Sequence, residues 1–210
     1  MRFADGSAGD ADYAAMGARY SKYRRPERSI ALWVCEALGE AQTVLNVGAG
    51  TGSYEPAGKL VTAVEPSASM RAGRPAHLSP ALDAVAQHLP FASGTFDASM
   101  ATFTIHQWPD VAAGLKEMRR VTRGPVVLLS CDPREVRQFW LNQYAPEVLS
   151  TEARRYPSME SIRTILGERT AIHSVPIPLD CRDGFNEAYY GRPEMLLDED
   201  ARKSDRKSVV

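Results

Sequence analysis

Thr43-Val44-Leu45-Asn46-Val47-Gly48-Ala49-Gly50-Thr51-Gly52-Ser53 is the stretch on which the fold turns. Its first five residues are apolar or β-branched apart from Asn46, a composition that suits a buried strand. The run then breaks into glycines at 48, 50 and 52, so the strand dives into a tight turn. Without a Cβ, that backbone reaches positive φ and lets a ligand approach the main chain. A second strand, Leu60-Val61-Thr62-Ala63-Val64, ends at Glu65, whose carboxylate is placed to accept hydrogen bonds from a ribose diol. Loop and acid in that register point to a nucleoside; the bland alternative is a structural turn followed by a surface acid. A G-x-G-x-x-G dinucleotide site would set its third glycine where this chain has Ser53, so the spacing separates the nucleoside classes only in part.

Upstream, residues 1 to 12 read as a loose arm, with order beginning near Tyr13. Pro26 is suited to the first position of a helix whose face carries Ile30, Trp33, Val34, Ala37 and Leu38 and which Gly39 stops. Arg24 and Arg25, just ahead, either reach a ligand carboxylate or form a solvated helix entrance. Downstream, Pro66-Ser67 opens a short helix, Ala81 to Ala86 reads as a third strand and Phe96 to Thr104 as a fourth. Asp110 precedes a helix with Val111, Leu115 and Met118 on its buried face, stopped by Gly124-Pro125. Val126 to Ser130 is a fifth strand, apolar until its end, as expected of a parallel strand covered on both faces. Asp132-Pro133 opens a helix with a stripe of Val136, Phe139, Trp140 and Tyr144, which is either core or substrate wall. A helix over 158–166, a strand over 170–177, a turn and short helix over 180–190 and a charged, frayed tail from Asp198 complete the chain.

Strands alternating with helices predict an α/β fold, a doubly wound, mostly parallel sheet flanked by helices, in a single domain. It divides into an arm and helix over 1–40, a ligand-binding core over 41–133, a substrate-side region over 134–197 and a tail over 198–210. In such sheets ligands sit outside the carboxyl ends of the strands. Gly48 to Gly52, Glu65, the residues near Val85 to His88, and Thr104 to Trp108 all fall there, so one crevice can collect them.

At 210 residues the chain suffices for one sizeable core, and 44% hydrophobic with 24% charged residues is an ordinary globular composition. A net charge of -1 without a basic run offers no stripe to neutralise phosphates, which argues against a nucleic-acid partner. No apolar run approaches a membrane span, and the N-terminus lacks the apolar stretch of a signal peptide. Cys35, Cys131 and Cys181 are odd in number and far apart, which points to a reducing compartment, with the cytoplasm as the default location. His77, His88 and His173 are scattered, without metal-ligand spacing.

Val44 to Gly52, Ala63-Val64-Glu65-Pro66-Ser67, Leu89-Pro90-Phe91 and Gly94-Thr95-Phe96-Asp97, taken in order over 43–121, resemble the class I S-adenosylmethionine-dependent methyltransferases. The nearest likeness is to their small-molecule branch with an L-P-F…F-D signature. The resemblance implies a Rossmann-like methyltransferase fold, S-adenosylmethionine as cofactor, S-adenosylhomocysteine as product and a small-molecule acceptor. It places Gly48, Ala49 and Gly50 around the methionine and ribose, Glu65 on the ribose hydroxyls and Pro66 and Met70 beside the adenine, and counts Gly52 and Thr104 among the cofactor-binding residues. An acid that often meets the adenine amino group falls at Val85, leaving Ala86 and Gln87 as substitutes, unless a slipped register brings in Asp83. Asn46 stands where the family usually has aspartate, so an amide bridges the loop without the charge.

Methyl transfer from a sulfonium needs alignment and exclusion of water more than it needs a base, and alignment supplies about 7–11 kcal/mol. Where the nucleophile must lose a proton, His106 is the candidate base; otherwise it is a turn histidine holding the Trp108-Pro109 bend. Trp108, Trp140 and Tyr144 are the candidate acceptor walls, and Phe139, Tyr189 and Tyr190 add to the aromatic character. The rival readings are a non-catalytic protein that keeps the nucleoside pocket, and an NAD(P)-dependent oxidoreductase. The resembling family usually continues past Ser208 into a strand beside the fifth, so the C-terminal part reads as incomplete. Either the strand over 170–177 moves inward, a partner chain covers the gap, or the apolar edge stays exposed and the protein is unstable; on that edge a homodimer is the expected assembly.

Overall fold

Alternate residues of β1 (Thr43–Val47) serve two different cores. Val44 belongs to one apolar cluster and Leu45 and Val47 to another, all three fully buried. The same alternation runs through β4 (Ala98–Thr102), where Ala98 and Met100 join the Val44 side and Ala101 the Leu45 side. A strand buried on both faces has an apolar run without polar alternation, which is why 43–47 reads as it does. The computed structural model describes residues 22–204. β2 (Leu60–Val64), β3 (Ala81–Leu82) and β5 (Val126–Leu129) complete a five-stranded sheet in the order β3-β2-β1-β4-β5, with every pair parallel.

Helices cover both faces. α1 (Arg28–Leu38) puts Ile30, Val34 and Leu38 on the Val44 side, starts at a Glu27 cap whose carboxylate accepts from the Ser29 N–H at 3.3 Å, and ends at Gly39. α2 (Ala68–Ala72) begins at the predicted Ser67 cap. α3 (Val111–Val121) is capped by Asp110, which accepts from the Ala113 N–H at 2.9 Å, and it buries Leu115, Met118 and Val121 on the Leu45 side. α4 (Pro133–Gln138), α5 (Pro146–Arg155), α6 (Met159–Leu166) and α7 (Glu199–Ser204) follow, and α6 packs Ile162 into the same cluster as α3. The result is a Rossmann-like α/β fold, doubly wound as expected.

Several boundaries differ from the sequence reading. Pro26 stands two residues ahead of α1, and Trp33 is 39% exposed, turned toward the His173 ring at 6.1 Å; Ala37 is exposed too. The third strand stops at Leu82 because β2 offers only Ala63 and Val64 as partners, and 83–87 leave as loop. Phe96 makes only an isolated bridge to Thr122, and Phe103 ends the fourth strand by taking φ 52°. α3 finishes at Thr122, short of Gly124-Pro125. β5 is half-buried, an edge rather than a doubly covered strand.

The expected stripe of Val136, Phe139, Trp140 and Tyr144 does not lie on one helix: α4 ends at Gln138, Phe139 is extended, and Trp140–Gln143 is a 3-10 turn. Residues 171–178 form no strand; Pro176 and Pro178 lack the N–H a ladder needs, and Val175 and Ile177 pack on the Val44 side instead. The tail from Asp198 is helical through Ser204, with Ala201 fully buried. The arm over 1–12, the start of order near Tyr13 and the last residues of the tail, 205–210, lie outside the described residues.

Two signature segments fix the frame. Leu89 and Phe91 are gripped by α3: the Leu89 N–H donates to Glu117 at 3.0 Å, and Arg120 donates to the Phe91 and Leu89 carbonyls at 2.8 and 3.1 Å. Phe91 meets Phe96 edge-on at 4.9 Å. Asp97 ties the start of β1 to the loop before β5, accepting from the Thr43 N–H at 2.9 Å, the Thr43 hydroxyl at 2.8 Å and Arg123 at 2.6 Å. The Arg123 guanidinium, and after it the Thr43 donors, hold the Asp97 carboxyl below its ordinary 3.8. Its folded pKa is depressed, so its contribution is present above pH 3.8 and is lost as pH falls from there through the folded value. Asp97→Asn is therefore expected to melt below the wild type at pH 7, with a gap that narrows below pH 3.8; thermal melts at pH 7 and pH 3 showing the same gap would refute this.

Candidate functional site

The chain runs outward from β1 through β2 to β3 and then jumps back to β4, so β1 and β4 diverge at their carboxyl ends and open a crevice. The glycine loop enters it. Gly48 and Ala49 N–H groups both donate to the Val64 carbonyl, at 2.9 and 3.0 Å, stapling the loop to β2. Gly48 has φ 68° and lies so close to Thr104, beyond β4, that a Cβ there would collide with its side chain. Gly50, with φ 52°, donates its N–H to Glu65 Oε2 at 2.8 Å, and Ser67 N–H donates to Oε1 at 2.8 Å.

Glu65 thus bridges the loop of β1 and the helix start after β2, one oxygen to each. Each oxygen retains a second lone-pair site for an outside donor. The residue is 6% exposed, and burial pushes its carboxyl above the ordinary 4.5, with the Ser67 and Gly50 N–H groups and the charges of Arg71 and Arg74 pulling the other way.

Beneath the loop lies a charged clamp that sequence reasoning missed. Arg74 donates to both Glu55 oxygens at 2.9 and 3.1 Å, to the Gly50 carbonyl at 3.3 Å and to the Ser79 carbonyl at 2.9 and 3.1 Å. Asn46 completes it, donating to Glu55 Oε1 at 3.0 Å. Glu55, nine residues on, is the carboxylate that Asn46 meets, and Arg74 neutralises it. Asn46 itself does not line the crevice, nor does Gly52, which packs beneath the turn against Leu78 and Arg74. Nothing in the spacing of Glu55 and Arg74 marks them as partners.

The crevice is walled on four sides. Gly48 to Thr51 and Ser53 form its floor; Glu65, Pro66 and Met70 one wall; Val85, Ala86 and Gln87 a second; Thr102, Phe103, Thr104, Gln107 and Trp108 the third; and Arg24 closes it from ahead of α1. The register with Val85 inward holds, because Asp83 points outward to Arg71 at 3.3 Å. Trp108 lines the crevice, as expected of a candidate wall, and its ring also covers Gly114 of α3. Arg24 reaches the crevice, while Arg25 is exposed.

His106 does not join them. It sits in the 3-10 turn Ile105–Gln107, where successive side chains diverge by about 120°. Ile105 goes to the core, Gln107 to the crevice, and His106 against the Tyr156 ring at 4.7 Å. Trp140 and Tyr144 are also outside: Trp140 stacks on Phe139 and Tyr144, and Tyr144 is 76% exposed. Tyr189 is buried in a separate cluster, and Tyr190 donates its hydroxyl to the Ile177 carbonyl at 2.6 Å. The sequence reading also missed Asp183, Tyr54 and Phe103. Asp183 accepts from Arg24 Nε at 2.8 Å and from the Tyr54 hydroxyl at 2.6 Å, and the Arg24 guanidinium lies 5.4 Å from the Phe103 ring.

Comparison with known proteins agrees with this geometry. Residues 45–129 match the methyltransferase domain family. The demethylmenaquinone methyltransferase of Mycolicibacterium vanbaalenii is 35% identical over 99 residues, 45% of this chain and 43% of its own length. That of Corynebacterium kroppenstedtii is 34% identical over 96 residues, 43% of this chain and 42% of its own. The matched stretch therefore spans less than half the length of these curated relatives. Among solved structures, a protein from Anabaena variabilis assigned as a methyltransferase of an antibiotic biosynthesis pathway superposes with a TM-score of 0.77 at 29% identity, over 88% of this chain and 79% of that one. An S-adenosylmethionine-dependent methyltransferase from Thermotoga maritima, with a TM-score of 0.56 and 22% identity over 74% of each chain, shares the fold.

The close approach of Gly48 to Thr104 is directly testable. Gly48→Ala combines a left-handed backbone with a collision, and is expected to lower stability by about 1–3 kcal/mol. Adding Thr104→Ala removes the collision and leaves the backbone strain, so denaturant titrations of the double variant should recover only part of the loss.

Proposed function

We propose that this chain is a class I S-adenosylmethionine-dependent methyltransferase, which transfers the methyl group of S-adenosylmethionine to a small-molecule acceptor and leaves S-adenosylhomocysteine; the match of 45–129 to the methyltransferase domain family and the likeness to the Anabaena variabilis structure support this reading. The observation that carries this reading is the Glu65 bridge, which holds an acceptor-rich carboxylate at the rim of a crevice floored by bare backbone. Adenosine would suit that rim: Glu65 would accept from its ribose hydroxyls, and Pro66, Met70, Val85 and Ala86 would hold the adenine. Gly48 to Gly50 would hold the methionine portion, and Arg24 would meet its carboxylate. When bound, the cofactor supplies a methyl group already activated by its sulfonium.

The chain's own contribution is position and dryness. Phe103 and Trp108 make an apolar wall at the far end, and Gln107 adds one amide, so an acceptor there is desolvated and aimed. Holding donor and acceptor in line is worth about 7–11 kcal/mol of the barrier. Among the described residues the ionisable groups that line the crevice are Arg24 and Glu65, both already bonded. Neither is suited to take a proton from the acceptor, which favours acceptors that react without a side-chain base.

S-Adenosylhomocysteine is expected to raise the melting temperature, whereas NAD is not; at about a hundred times its dissociation constant a ligand stabilises a fold by roughly 2.7 kcal/mol. The raised Glu65 pKa sets a pH dependence. Without ligand, raising pH from 4.5 through the folded pKa ionises a buried carboxylate and costs stability, while ribose hydroxyls favour the ionised form. Calorimetric titration should therefore show S-adenosylhomocysteine binding tighten with pH above 4.5. Glu65→Gln should lose that slope and about 1.5–3 kcal/mol of affinity, the worth of hydrogen bonds to a charged group. His106→Ala, by contrast, is expected to leave S-adenosylhomocysteine affinity and methylation unchanged and to cost about 0.5–1.5 kcal/mol of stability through the lost Tyr156 stack. A drop in turnover with stability intact would restore His106 as a base.

A further inference from the structure

Gln107 is the one polar side chain of the acceptor wall with an unmet need. It is 8% exposed, lines the crevice beside Trp108, and is held by a backbone N–H donated to the Thr104 carbonyl at 2.8 Å. Its Oε1 is buried and makes no hydrogen bond among the described residues. An amide oxygen left this way costs free energy that a ligand donor would recover. The neighbouring residues of the turn cannot substitute: Ile105 is in the core and His106 is against Tyr156.

We infer that Gln107 Oε1 receives an N–H or O–H from the acceptor at the atom to be methylated, which makes it a substrate-orienting residue and selects acceptors bearing such a donor. This rests on the cofactor reading above. The hydrogen bond turns a nucleophile lone pair toward the methyl carbon. That lone pair forms the new bond as the carbon–sulfur bond breaks, and the sulfur departs as a neutral thioether. The amide is too weak a base to keep the proton, which passes to water after transfer. Neutral amines, and hydroxyls that keep their proton until transfer, meet these terms, and a carbon nucleophile without a polar hydrogen does not.

Sinefungin tests this without a known acceptor, because it carries an ammonium where the cofactor carries its methyl sulfonium. Wild-type protein is expected to bind sinefungin about tenfold more tightly than S-adenosylhomocysteine, the effect of one hydrogen bond from a charged donor. Gln107→Leu should abolish that preference with S-adenosylhomocysteine affinity unchanged, which also reports a folded pocket. Gln107→Glu should keep or widen it, and serves as the second variant where the leucine form does not fold. Equal preference in wild type and Gln107→Leu, or no preference in wild type, overturns the assignment of Gln107. Failure of wild type to bind S-adenosylhomocysteine at all overturns the cofactor reading instead.

Discussion

The site depends on one carboxylate shared between two strand tips. Glu65 ends β2, yet its oxygens accept from the N–H of Gly50 in the loop of β1 and from the N–H of Ser67 at the mouth of α2. Both donors are main-chain groups at points where the chain has just left regular structure and would otherwise be unpaired. The bridge therefore satisfies local needs and sets the spacing of floor and wall together. It is also expensive: a carboxylate buried this far is pushed toward its neutral form, and only the converging donors offset the desolvation.

The loop resists collapse because it is held from below as well. Glu55 and Arg74 are each 3% exposed in their side chains, and their ion pair reaches the Gly50 carbonyl on one side and Asn46 on the other. A buried pair of this kind is weak evidence for stability, since removing two charges from water cancels much of their attraction. Its value lies in direction. Removing either partner would leave a charge stranded under the turn, so the pair holds the loop in one conformation.

Most of the frame was legible because its signals are local. Five strands, the helix starts at Ser67, Asp110 and Asp132 and the crevice at the strand tips follow from apolar runs, glycines and capping residues that lie side by side in the chain. Glu65, Val85 and Thr104 were placed correctly at the crevice for the same reason. What failed depends on contacts between distant segments. His106 and Gln107 are adjacent and both polar; only the phase of a three-residue turn and the arrival of Tyr156 decide which one faces inward. The strand expected over 170–177 has the right apolar content, and Pro176 within it and Pro178 just after it decide against it. Glu55 with Arg74 and Arg24 with Asp183 are pairs that no period in the sequence announces.

Tyr54 and Phe103 are the two residues other than glycine with positive φ among those described, at 64° and 52°, and their rings stand 6.0 Å apart. Each such backbone costs about 1–3 kcal/mol and persists only where its surroundings hold it. Those surroundings are Asp183, which receives the Tyr54 hydroxyl, and Phe185, whose ring lies 5.0 Å from Phe103. The strands and the glycine loop that floor the crevice come from the first 130 residues, yet its Arg24 entrance and its Phe103 wall are both braced by 183–185, so the crevice takes its final shape only when that late segment docks.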